Sequence, residues 1–268
     1  MTSQTRMKPQ TRKSPSKSKG WVPLQHGAWA MMIVPYVLGA IRAAQTGVFG
    51  WGHVTLFAFW MLGYFTFNSA SGWLKAAQWQ KPRYVKPLLI YGIAAAVFGV
   101  LTLLLVGVRP LPWVLVFLPL MLPAVWLAGQ RKERATIGGF LTIAAAAVIL
   151  PVARYLYPSD IGDWPQIAAL AGMVFAYFSS TVLFVKTNIR ERGSRGYMIA
   201  SIVYHAVVVV AAVVLTVLGL VGWWWIPFAV VVLAKAVVVP PMKLRPLPLG
   251  IIEIILSVTI IVCVVAFG

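Results

Sequence analysis

Residues 198–220 read MIASIVYHAVVVVAAVVLTVLGL, twenty-three residues without one Asp, Glu, Lys or Arg. At about 1.5 Å per helical residue this run crosses a hydrocarbon core of about 30 Å. It is apolar on every side, so it has no face to offer to water. Eight similar runs flank it, at about 27–44, 52–71, 88–106, 111–128, 137–155, 166–185, 223–239 and 249–267. The chain has 268 residues, 60% hydrophobic and 10% charged, with a mean hydropathy of +0.86. Soluble domains are roughly 45–50% apolar and about 25% charged, so a soluble globular fold is excluded. The expected class is all-α: a polytopic membrane bundle of about nine transmembrane helices.

Residues 1–20 carry Arg6, Lys8, Arg12, Lys13, Lys17 and Lys19 among Ser, Thr, Gln and Pro. So few apolar groups cannot offset chain entropy, and a disordered basic tail is expected there, ahead of a transmembrane domain over 21–268. No cleavage site of small residues follows, which argues against a removable signal peptide. With that tail inside, nine spans put twenty of the 23 Lys and Arg on the inner side. Only Arg42, Arg109 and Arg154 fall outside. This asymmetry predicts a cytoplasmic N-terminus and an outer C-terminus. Trp21, Trp51, Trp113, Trp164 and Trp223–Trp225 stand where interface anchors belong. The Ala run 144–147 and Gly92 with Ala96 suit close helix packing. Pro119 and Pro123 predict a kinked fourth span.

Four segments break the apolar background. In 21–30, Gln25 and His26 precede the first span at its inner mouth, and a histidine there can carry a proton near neutral pH. An ordinary interfacial histidine fits equally well. In 67–87, Asn68 and Lys75 are seven apart and share a helical face, with Lys86 beyond them. In 186–197, Lys186 and Arg190 are four apart, as are Thr187 and Glu191, with Asn188 between them. Tyr204 and His205 lie about two turns into the seventh span, and an ionisable group at that depth is a candidate site by default. Lys235 and Glu253 are expected to meet as a structural ion pair between spans eight and nine. Lys243, on the loop that joins those spans, is taken as a distant charge. Cys263 is the only cysteine, which excludes a disulfide framework or a cysteine metal cluster. The acids number five: Glu133, Asp160, Asp163, Glu191 and Glu253.

The segments Pro23–Ala30 with its His-Gly-Ala-Trp, Phe67–Ser69 with Trp73–Lys75, Tyr84–Gly92, Val185–Arg192 with its Ile-Arg-Glu, and Tyr204–His205 resemble the YwiC-like family of bacterial membrane proteins. The resemblance implies a bacterial inner-membrane protein and no particular activity. In plan the chain is also similar to the UbiA prenyltransferase superfamily, whose nine spans carry polar cytoplasmic loops after spans two and six. Those enzymes hold magnesium on Asp-rich motifs. Here Asn68 matches the motif's Asn, but its Asp positions fall on Ser69, Gly72 and Ala76, and the second motif keeps only Glu191. Two magnesium ions cannot be held by that inventory, so no metal or cofactor is expected.

Three readings stay open. In the first, a cytoplasm-facing cavity binds an anionic lipid or isoprenoid phosphate directly on Lys75, Lys86, Lys186 and Arg190. Gln25, Asn68, Asn188 and Tyr204 are further contacts, and His26, Glu191 or His205 is the acid/base group. In the second, the same mouth and His205 serve transport of a small anion or lipid. In the third, the chain is a membrane component without a ligand. Membrane lipids are the expected partners, and nucleic acid is not.

Overall fold

The structure, a computed structural model, describes residues 21–23, 26–130 and 136–267. The basic tail, Gln25 and the segment 131–135, with Glu133, lie outside the described residues. Nine α-helices account for the described fold: α1 (His26–Gln45), α2 (Trp51–Lys75), α3 (Pro82–Val106), α4 (Trp113–Gly129), α5 (Thr136–Arg154), α6 (Trp164–Ile189), α7 (Arg195–Val217), α8 (Trp225–Val238) and α9 (Pro246–Phe267). Each matches one apolar run of the sequence. Seven are long and apolar enough to cross a membrane. The other two are α4, which is shorter, and α2, whose C-terminal end carries Asn68, Ser69, Ser71 and Lys75.

Where helices end, the local chemistry shows why. Pro82 opens α3 at a position where a missing N–H costs nothing. Ser194 caps α7 by accepting a hydrogen bond from the Tyr197 amide. That helix stops at Val217, ahead of Gly219, whose φ of 68° a side chain would resist. Pro119 and Pro123 lie inside α4, which stays helical through both.

The centre of the bundle is α5 and α6. Their core faces include Ala145, Ala146, Ile149, Leu150, Val152 and Ala153 on α5, and Ile167, Met173, Val174, Phe178 and Phe184 on α6. The α5 side packs on α1 and α4, and α2 and α3 pair closely with each other. On the α6 side, α7 pairs with both α6 and α8, while α9 packs on α1 and α6. α1 crosses α5 closely. A Cβ built on Gly39 would lie 2.2 Å from the Leu150 carbonyl oxygen and 2.9 Å from the Ala153 Cβ. The small residues of α5 therefore let two backbones approach, as such residues do between helices in lipid.

Candidate functional site

The last four helices bury a polar centre. Glu253 of α9 accepts a 2.5 Å hydrogen bond from the Lys235 ammonium of α8 on Oε1. Its Oε2 accepts from Thr181 at 2.8 Å and from the Tyr177 hydroxyl at 3.2 Å, both on α6. The Tyr177 hydroxyl also stands 3.4 Å from Ser257 Oγ. Lys235 places its charge 4.3 Å from the Phe184 ring centroid. Every group here is buried, so the carboxylate has traded water for three protein donors. That is the condition under which a buried charge is tolerated. By helical rise, Thr181 lies about 12 Å from the C-terminal end of α6 and Glu253 about 10 Å from the N-terminal end of α9.

His205 lies on α7, which packs against α6 and α8. It is 1% exposed, about 15 Å from that helix's N-terminal end, and feels the charges of both Lys235 and Glu253. Its Nδ1 lies 2.6 Å from the Ser201 carbonyl oxygen. A carbonyl only accepts, so Nδ1 carries the hydrogen and Nε2 bears the free lone pair. Nε2 is buried without a hydrogen-bond partner.

Where α6 and α8 end and α7 begins is a cleft of about 230 Å³. The α6–α7 turn lines one side with Arg192, Ser194 and Arg195; Pro240, Pro241 and Lys243 line the other. Gly193 makes the turn at a φ of 88°. Lys243, at φ 51°, is the one non-glycine residue of positive φ among the described residues. It follows the short 3-10 turn Pro240–Met242, which bends the chain back over α6 and α7. Arg192 ties the two loops by donating to the Asn188 carbonyl at 2.7 Å and the Leu244 carbonyl at 2.8 Å. Lys243 is therefore a neighbour of Arg192 and Arg195 and not the distant charge that the sequence suggested. Three cations and the amino end of α7 converge, and no carboxylate lines the cleft.

The opposite end of the bundle is held by structural bonds. Buried Arg154 donates to Asp163 at 2.9 Å and Ser159 at 3.1 Å, and Tyr155 donates to Asp163 at 2.8 Å. His53 is fully buried: its ring meets the Ala153 carbonyl and the Gly50 amide, and its own carbonyl accepts from Tyr36. With both ring nitrogens engaged, His53 clamps α2 to α5.

The predicted site residues fall into separate groups. His26 opens α1, and its side chain lies outside the described residues. Asn68, Lys75 and Lys86 belong to the α2–α3 pair, with Lys86 exposed. Lys186, Arg190 and Glu191 adjoin one another at the end of α6, and Asn188 is buried there with its amide on the Phe184 carbonyl. None of these cations lines the cleft. Tyr204 stacks on Phe140 of α5. His205 alone of the set joins the buried centre. The sequence reading passed over Tyr177, Thr181 and Ser257, and it took Lys235 and Glu253 as an ion pair only. Single hydroxyls in apolar spans give no signal of their own. Two lone charges in neighbouring spans do.

The nine apolar helices among the described residues, with an ion pair buried in the last four, define a multi-pass helical membrane protein. The chain belongs to the YwiC-like family: the family model described as YwiC-like protein matches residues 22–154, which is α1 to α5. "Uncharacterized protein YwiC" of Bacillus subtilis (strain 168) is 31% identical over 191 residues, covering 70% of this chain and 74% of that one. An "Uncharacterized protein" of Haemophilus influenzae (strain ATCC 51907 / DSM 11121 / KW20 / Rd) is 27% identical over 232 residues, 85% of this chain and 90% of that one. No solved structure matches. The buried centre lies beyond the segment that the family model covers.

Proposed function

We propose that this protein lies in the bacterial inner membrane, N-terminus in the cytoplasm and C-terminus outside, and binds a phosphate-bearing lipid at the inner cleft by direct contact with cations. The observation that carries this reading is the cleft's lining: Arg192, Arg195 and Lys243 beside the Ser194-capped amino end of α7, with Met198, Pro240 and Pro241 as its apolar part. Arginine binds phosphate as a fork, lysine as a point charge, and a helix amino end favours an anion. An acyl or isoprenoid phosphate offers both the charge and the tail that such a lining suits. The Asp-rich magnesium motifs of the UbiA enzymes are missing from the sequence, so the contact is direct.

The lipid test uses purified full-length protein in a neutral detergent, with phosphatidic acid as the probe. Added lipid should raise the unfolding temperature, equally with and without EDTA. Arg195→Gln and Lys243→Gln should each weaken the apparent affinity about 10- to 100-fold, the value of one charge-assisted hydrogen bond. Arg83→Gln removes the same charge from exposed α3 and should change nothing. Equal losses in all three variants, or a response abolished by EDTA, would contradict the reading. The orientation has its own test: a reporter fused after Gly268 should be active only outside and one inserted near Lys132 only inside, on the twenty-to-three charge asymmetry. A C-terminus found inside would reduce or increase the span count by one.

A second reading, transport, has one observation in its favour. A cleft of about 250 Å³ opens at the opposite end of the bundle, lined by Arg42, Gln166, Trp224 and the 219–222 backbone among others. The polar centre lies between the two clefts. Uptake of the same lipid phosphate into proteoliposomes would favour transport over binding alone.

A further inference from the structure

The Lys235–Glu253 pair accounts for its own charges, and His205 is left over. A histidine kept only for packing would engage both ring nitrogens, as His53 does. His205 engages one: the Ser201 carbonyl fixes the hydrogen on Nδ1 and turns a lone pair, on Nε2, into the buried interior with no donor facing it. An unpartnered polar atom in such a place costs on the order of 1–3 kcal/mol. A leucine or a glutamine would avoid that cost. What the arrangement supplies is a base at membrane depth with a carboxylate close by.

We propose that His205 is an intramembrane proton acceptor, with Glu253 as its counter-ion and Lys235 as the cation that competes for it. The proton comes from a hydronium or buffer acid and adds to the Nε2 lone pair; no other covalent bond changes. The imidazolium so formed sits beside Lys235 and Glu253. One carboxylate then serves two cations, so uptake of the proton weakens the hold of Glu253 on Lys235. Among the described residues, the charged groups that act on His205 are Lys235 from α8 and Glu253 from α9, with Tyr204 preceding it on its own helix. Lys235 and Glu253 therefore set the charge balance at His205. The site stands whether or not the inner cleft takes an anion, because it shares none of the cleft's residues.

The test is nitrogen NMR of the whole protein in lipid nanodiscs, with ¹⁵N-histidine. The chain has three histidines, and His205→Gln identifies the signal. At pH 8 the His205 spectrum should show a bare Nε2 and a protonated Nδ1. Between pH 8 and about 4.5 the doubly protonated form should grow in, around the range where imidazole exchanges its proton. Lys235→Gln should move the midpoint up and Glu253→Gln should move it down, each by about one pH unit, because one removes a like charge and the other an opposite charge. Should the native protein unfold before the transition is complete, Lys235→Gln decides. There the proton neutralises an otherwise unpaired Glu253, so His205 must be protonated at pH 6 and the variant must melt at a higher temperature at pH 6 than at pH 8. A His205 that stays neutral throughout in the native protein while folded, or stays neutral at pH 6 in Lys235→Gln, overturns the proposal. So does a midpoint that ignores both substitutions.

Discussion

Replacing Glu253 with Leu should destabilise the protein by about 3–5 kcal/mol, the cost of leaving one partner of a buried ion pair alone. The structure gives the reason. The Lys235 side chain is 5% exposed, and its partner in reach is the Glu253 carboxylate at 2.5 Å. Without that carboxylate the ammonium must lose its proton or pull out toward the C-terminal end of α8, and Tyr177 and Thr181 lose their acceptor. Lys235→Met should cost less. Glu253 then keeps the Thr181 and Tyr177 donors, which still hold its carboxylate. The double variant Lys235→Met, Glu253→Leu should recover most of the loss, since it removes both desolvation costs together. Thermal unfolding in detergent reads all three. Two single variants that each melt like the native protein would show that the pair is not buried as described.

Gly39→Val should be as damaging, for a steric reason. A Cβ at that position lies 2.2 Å from a backbone oxygen of α5, far inside contact distance, and a backbone atom cannot swing away as a side-chain tip would. The α1–α5 crossing must open, and with it the packing around Leu38 and Leu150, both fully buried. Overpacking of this kind costs about 3 kcal/mol or more. Gly172→Ala is the control. It lies on central α6 with nothing within 4 Å of an added Cβ, and it should be neutral or gain about 0.5–1 kcal/mol. If both glycines tolerate substitution equally, the close crossing is wrong.

Helix number and position were legible because hydrocarbon leaves an apolar run little choice. A run such as 198–220 can only be a helix, and the structure shifts its limits by three residues at each end, to the Ser194 cap and to the stop before Gly219. The pairing of Lys235 with Glu253 was legible on the same physics, since lone charges in apolar spans must find each other. Its surroundings were not. Tyr177, Thr181 and Ser257 differ from other span hydroxyls only in the face they present, and an all-apolar helix has no polar side to reveal which face is inward. His205 stood out as ionisable, but which nitrogen carries the hydrogen depends on its contact with Ser201. Lys243 was misjudged because distance along the chain is a poor guide across a loop. The turn at Pro240–Met242 and the Arg192 bond to the Leu244 carbonyl bring it to the α6–α7 connection.

Native mass spectrometry of the protein, extracted from its own membrane in mild detergent, bears most directly on the proposed role. The inner cleft predicts a retained lipid whose mass and fragmentation reveal a phosphate on an acyl or isoprenoid tail. That adduct should be lost from the Arg195→Gln, Lys243→Gln double variant and kept by Arg83→Gln. Protein that carries no phosphate-bearing lipid, or that keeps the same adducts in the double variant, would contradict the account.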